Sequence, residues 1–371
     1  MKTARWMCAA LLAAGCSGPS GPEPAALVYL EKPQPVRVLW SHNVGSAENF
    51  TFSPALVGDA LYAAARDGTV TRLDAVKGDT RWREDLRLKL SGGVGADERT
   101  VAVVSEEGEV VALDPAKGAV RWRARVSSEV LAASAVAGDM VLVRSIDNRV
   151  FAFGAEDGKR RWVHQRAPSS LLVRAPAGMA IAGDLVYAGF TGGKLVALAL
   201  QSGAVRWEAN VHVPKGTTEL ERVSDVLGTP VVEGREVCAA AYRARIACFD
   251  AATGRQLWAR ELAVLSGVGL DARYAYVVDE RGAVHAFDRS NGQSVWKQDK
   301  LAHRQLSAPL SNGAAVAVGD FEGYIHFLAR ESGTFVARES TDGAAVRAAP
   351  QRLGRGLLVQ TGNGGVFALE Q

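Results

Sequence analysis

Short runs of alternating apolar and polar residues, separated by glycine-bearing turns, return along this chain with a period of about 40 residues. The fullest copy reads Asp67-Gly68-Thr69-Val70-Thr71-Arg72-Leu73-Asp74, followed by Gly78 and Trp82. The next reads Glu107-Gly108-Glu109-Val110-Val111-Ala112-Leu113-Asp114, followed by Gly118 and Trp122. Looser copies centre on Val150, Leu195, Ile246, Val284, Ile325 and Val366. They carry the pairs Gly158/Trp162, Gly203/Trp207, Gly254/Trp258 and Gly292/Trp296, while the seventh copy keeps Gly333 but has Ala337 in the Trp position. A period of two marks a strand, and no helical spacing interrupts it. Asp-Gly supplies the positive φ angles of a tight hairpin. The Asp closing the strand can accept hydrogen bonds from the backbone of the following turn. The Trp offers a large flat ring to the gap between neighbouring sheets. Four short strands per repeat make one blade of a β-propeller.

Counting the repeats predicts how the ring closes. Eight strand motifs run from Val70 to Val366, and the last has no Trp after it. At the other end, Trp40 in Val36-Arg37-Val38-Leu39-Trp40 has no strand motif before it. Pairing the Trp40 strand with the C-terminal Val366 strand builds one blade from both ends and leaves no open sheet edge. The expected fold is all-β: an eight-bladed propeller of four-stranded antiparallel blades over 36–371, with Trp40, Trp82, Trp122, Trp162, Trp207, Trp258 and Trp296 as its repeated structural residues.

The first residues fall outside this pattern. Lys2 and Arg5 precede an apolar run from Trp6 to Ala14 that is too short to span a bilayer as a stable helix. It ends in Leu12-Ala13-Ala14-Gly15-Cys16, the form of a bacterial lipobox. Residues 1–15 therefore read as a lipoprotein signal peptide, and Cys16 as the lipidated residue whose acyl chains hold the protein to a membrane. Pro19, Pro22, Pro24, Pro33 and Pro35 make 16–35 an extended, semi-rigid tether. Without Lys2 and Arg5, 41 basic residues face 40 acidic ones, so charge gives no argument for nucleic acid or anionic lipid as the main partner. Cys238 and Cys248 lie on two strands of one hairpin. A two-residue loop turns the thiols to opposite faces, while a three-residue loop sets them opposite each other, able to join in an oxidising compartment. The two-residue loop, with unpaired and mostly buried cysteines, is the expectation.

Departures from the repeat point to function. Successive Trp residues from Trp40 to Trp296 lie 42, 40, 40, 45, 51 and 38 positions apart, so the two longest intervals are neighbours. Their extra residues fall in Ser169-Ser170-Leu171-Leu172-Val173-Arg174-Ala175-Pro176 and in Val213-Pro214-Lys215-Gly216-Thr217-Thr218-Glu219-Leu220-Glu221-Arg222-Val223-Ser224-Asp225. Both follow a Trp strand and precede a blade, so both are expected on one face of the ring.

From Trp40-Ser41 onward the chain resembles the BamB family, lipoprotein subunits of the machine that inserts β-barrel proteins into the bacterial outer membrane. The resemblance is carried by Ser170 to Arg174, by Glu219-Leu220-Glu221-Arg222-Val223-Ser224-Asp225 with Thr229-Pro230, and by Gly319-Asp320-Phe321-Glu322-Gly323-Tyr324-Ile325-His326. It implies a non-catalytic scaffold on the periplasmic face of the outer membrane of a Gram-negative bacterium. Such a scaffold binds the periplasmic POTRA domains of BamA, alongside other BAM subunits, as a single copy in a hetero-complex. The family's Leu-x-Leu-Arg stretch maps to Leu171, Val173 and Arg174, and its Asp-x-Asp stretch to Asp225 and Leu227, where the second carboxylate is missing. In this picture Asp225 holds Arg174 in place before binding.

Two other readings remain: a generic periplasmic propeller with another envelope partner, and a quinoprotein dehydrogenase. The second lacks the adjacent Cys-Cys pair of those enzymes. No cofactor or metal is expected. His42, His164, His212, His285, His303 and His326 are scattered without metal-ligand spacing, and Gly92-Gly93-Val94-Gly95 lacks the Lys and following helix of a phosphate loop.

Overall fold

The computed structural model describes residues 22–167 and 171–371. Cys16 and Ser170 therefore lie outside the described residues. The strands form eight four-stranded antiparallel sheets arranged as the blades of a ring. Blade 1 consists of Ala55–Val57, Ala60–Ala64, Thr69–Asp74 and Thr80–Asp85. Blades 2 to 7 repeat this order, starting at residues 95, 135, 179, 226, 269 and 310. Blade 8 takes three strands from the C-terminal side, Gln351–Leu353, Gly356–Gln360 and Gly365–Glu370, and its outer strand, Arg37–Asn43, from the N-terminal side. Trp40 pairs with Ala368 and His42 with Val366, as the count of repeats requires.

Burial follows position in the blade. The two middle strands are covered on both faces by neighbouring blades, so Ala60–Ala64 and Val101–Val104 are buried throughout. Outer strands alternate: in Val120–Arg125, Trp122 is buried and its neighbours reach solvent. Innermost strands crowd around the axis, where small residues permit the approach. A Cβ on Gly95 would come within 2.0 Å of the Ser134 carbonyl oxygen of blade 3.

The Trp repeat locks each blade to the next. All seven indole N–H groups donate to a backbone carbonyl in the following blade, at 2.6–3.0 Å. Each ring also lies on the glycine of that blade's last turn. At Gly158 (φ 65°), a Cβ would sit 2.6 Å from Trp122. In blade 2 the equivalent turn, at Gly118 under the Trp82 ring, is held by its aspartate: Asp114 Oδ1 accepts from the Ala116 and Lys117 amides, both at 2.9 Å.

The exception at Ala337 has a structural reason. Blade 8 receives its outer strand from the other end of the chain, so it has no turn joining third to fourth strand and no glycine there to carry a ring. Ala337 is fully buried in a cluster that includes Phe327 and Leu369, with Val36 packed against it. Residues 22–35 form no strand, yet they are fastened to the ring. The Ala25 amide donates to Ala302 O and the Gln34 amide to Val336 O, while Arg304 and Arg338 donate to the carbonyls of Ala25 and Val28.

One expectation is corrected. Cys238 and Cys248 are directly opposite in register and joined by a disulfide. Ala241 pairs with Arg245, so the hairpin loop is Tyr242-Arg243-Ala244, three residues rather than two.

Candidate functional site

The described parts of the enlarged segments, 166–167 with 171–178 and 211–225, leave the ring on one face, as expected from their place after a Trp strand. Their ends are stitched together: the Gly228 amide donates to Pro176 O at 3.2 Å and the Gly178 amide to Gly228 O at 3.1 Å. Asp225 makes the central link. Its Oδ2 accepts from the Val173 amide at 2.7 Å and its Oδ1 from the Gly192 amide at 3.3 Å. Burial raises the Asp225 pKa; the two amides and the charge of Arg144 oppose that rise without cancelling it.

Arg174 lies one residue beyond this clamp. Asp225 does not touch it; its partner is Glu129, in the loop between blades 2 and 3, with Nε to Oε2 at 3.2 Å and Nη2 to Oε1 at 2.5 Å. The guanidinium also lies 5.8 Å from the ring centre of Phe50, in the loop leading into blade 1. The Arg174 side chain therefore lies against the loop between blades 2 and 3 and the loop leading into blade 1. The expectation that Asp225 holds Arg174 directly is replaced by a two-part arrangement: Asp225 fixes the backbone at Val173, and Glu129 orients the guanidinium.

The five expected partner residues separate by exposure. Leu171 is 44% exposed and its neighbour Leu172 39%, both high for large apolar side chains. Arg174 is exposed and Val173 half-buried. Asp225 and Leu227 are only 7% and 6% exposed. Leu227 begins the inner strand Val226–Glu233 opposite Ala240 and belongs to the body of blade 5. The second loop adds Leu220, 76% exposed. Glu129 and Phe50 were invisible to sequence reasoning, because no repeated residue or local motif ties either of them to Arg174.

Chemistry beyond contact is not built into this face. Among the described residues no group of three His, Cys, Asp or Glu side chains could hold a metal ion. The buried histidines pair within their own blades: His326 with Asp320 and His285 with Asp279, each at 2.9 Å.

These features define a Trp-docked eight-bladed propeller with a pre-ordered loop platform on one face. Its residues 66–298 match the family model described as outer membrane protein assembly factor BamB. Proteins of that name are 46% identical in Pseudomonas aeruginosa, over 97% of each chain, and 44% identical in Bordetella pertussis, over 95% of this chain and 93% of that one. The crystal structure of BamB from Moraxella catarrhalis superposes with a TM-score of 0.83 at 27% identity, covering 91% of this chain and 100% of that one. Quinohemoprotein alcohol dehydrogenase from Comamonas testosteroni shares the fold alone, at 13% identity and a TM-score of 0.72 over 90% of this chain and 76% of that one. The chain belongs to the BamB family. The relatives carry the name of an assembly factor and not of an enzyme.

Proposed function

We propose that this propeller is a non-catalytic scaffold of outer-membrane protein assembly, held to the periplasmic face of the outer membrane by acyl chains on Cys16. Its partner in this reading is the POTRA region of BamA, next to other subunits of the assembly machine. The reading rests on the family name of the relatives and on one structural observation. Exposed Leu171 and Leu172 stand beside an arginine already oriented by Glu129, on a loop clamped by a buried carboxylate. Pre-ordering of this kind lowers the entropy lost on binding. Apolar side chains beside an arginine fork are the usual content of a protein-binding hot spot. Leu171, Val173 and Arg174 make the contacts; Asp225 positions them.

The test is membrane co-purification from the native host, comparing wild type with Arg174→Glu. Wild type brings down a large β-barrel protein with periplasmic repeats. Arg174→Glu weakens that binding by about 2 kcal/mol or more. Equal recovery with both forms removes the site, and absence of that partner from both removes the function. Labelling with radioactive palmitate, present in wild type and lost in Cys16→Ser, checks the anchor.

A further inference from the structure

Beneath the loop platform lies a cation that no carboxylate contacts directly among the described residues. Arg144 ends the strand Met140–Ser145 of blade 3 and faces blade 4, in line with Val150 and, one strand further out, His164. Among the described residues it makes no hydrogen bond or ion pair, and its Nε is shielded from water without an acceptor. Its guanidinium lies 5.3 Å from the ring centre of the buried Phe190. The charge of Asp225 acts on it across the pocket, while the Asp225 oxygens accept from the Val173 and Gly192 amides. Arg166, 5.5 Å from the same ring, is neutralised by Glu208 at 2.5 Å. His164 meets Phe190 edge-on, with an Nε2 that is also shielded and unpartnered. Burial lowers the Arg144 pKa to about 10, which leaves it charged at neutral pH.

A shielded charge lacking a partner weakens folding. Its place explains its presence: Asp225 joins this pocket to the backbone at Val173, inside the docking face. We propose that Arg144 receives a carboxylate, an Asp or Glu side chain of the docking partner, which enters beside the 171–174 loop. A guanidinium fork with unused donors matches a carboxylate in shape as well as charge. Phe190 below it supplies a flat, dry floor. This inference rests on the docking reading above and names the chemistry of what docks.

The experiment measures thermal stability and affinity together, on the purified chain and the POTRA region of BamA from the same organism. Arg144→Met weakens binding about tenfold or more, yet melts at a higher temperature than wild type. Arg144→Lys, which keeps the charge and loses the fork, falls between them in affinity. If Arg144→Met binds as wild type does, or melts lower, the residue is structural and the inference is overturned, while the docking reading stands. If wild type does not bind the POTRA region, the docking reading fails. The carboxylate site then stands or falls on a titration of the 15N-labelled arginine side chains with glutarate at constant ionic strength. The Nε resonance absent from Arg144→Met shifts if the site is real; a fixed resonance overturns it.

Discussion

A side chain in this ring is legible from the sequence when its partner is one repeat away. Trp122 is 8% exposed; its indole donates to Ala155 O at 2.8 Å and its ring lies on Gly158. All three roles recur at fixed spacing, so the pattern exposes them. Trp122→Ala removes the ring, the hydrogen bond and the fill of the gap together. It lowers stability by about 3–5 kcal/mol, the range for truncating a buried aromatic, and a thermal melt of the purified chain checks this. Arg174 is the opposite case. Its partners Glu129 and Phe50 sit on other inter-blade loops, at positions that no repeated residue marks. Likewise, the family resemblance that assigned Asp225 to the partner patch gave no sign of its burial, which requires two loops to converge.

The hairpin between Cys238 and Cys248 shows how one residue decides an element. A loop of two or three residues reverses which faces the thiols occupy, and sequence alone leaves both open. The observed three-residue loop pairs Cys238 with Cys248, in the blade whose first strand follows Asp225. The disulfide therefore ties the strands just behind the enlarged loop 211–225. Cys248→Ala in oxidising buffer lowers stability by about 3 kcal/mol, the loop-closure value for a cross-link of this span. In excess reductant most of that difference from wild type disappears, because both chains then lack the bond. Denaturant melts of both forms with and without dithiothreitol make the comparison.

Across the whole molecule, blades 6 and 7 are also joined by a polar clamp on the face opposite the enlarged loops. Asp271 accepts from Arg330 Nε at 2.8 Å, from Ser311 at 2.7 Å and from Tyr276 at 2.8 Å. Burial alone pushes its carboxyl up, but the bonds from Arg330, Ser311 and the Arg273 and Tyr274 amides outweigh that and hold it well below the usual carboxylate range. An acid with a lowered folded pKa binds fewer protons folded than unfolded, so its contribution is complete above the ordinary carboxylate pKa and is lost as pH falls through and below it. Stability is expected to fall as pH drops below about 4, and Asp271→Asn flattens that decline while lowering stability at neutral pH. Unfolding midpoints measured from pH 7 to pH 3 in both proteins test this.

Blade 8 sets an order of events in time. Its outer strand and its C-terminal strand are joined by contacts such as Arg37 to Glu370, 333 positions apart. Contacts so distant in sequence form last and slowly. A chain exported from its N-terminal side carries the Trp40 strand exposed while seven blades assemble behind it. Throughout that interval the ring is an arc with two unpaired edges. Blade 8 is complete only when the arc becomes a circle. Closure of the ring thus waits for the Gly365–Glu370 strand, however early the Trp40 strand is in place.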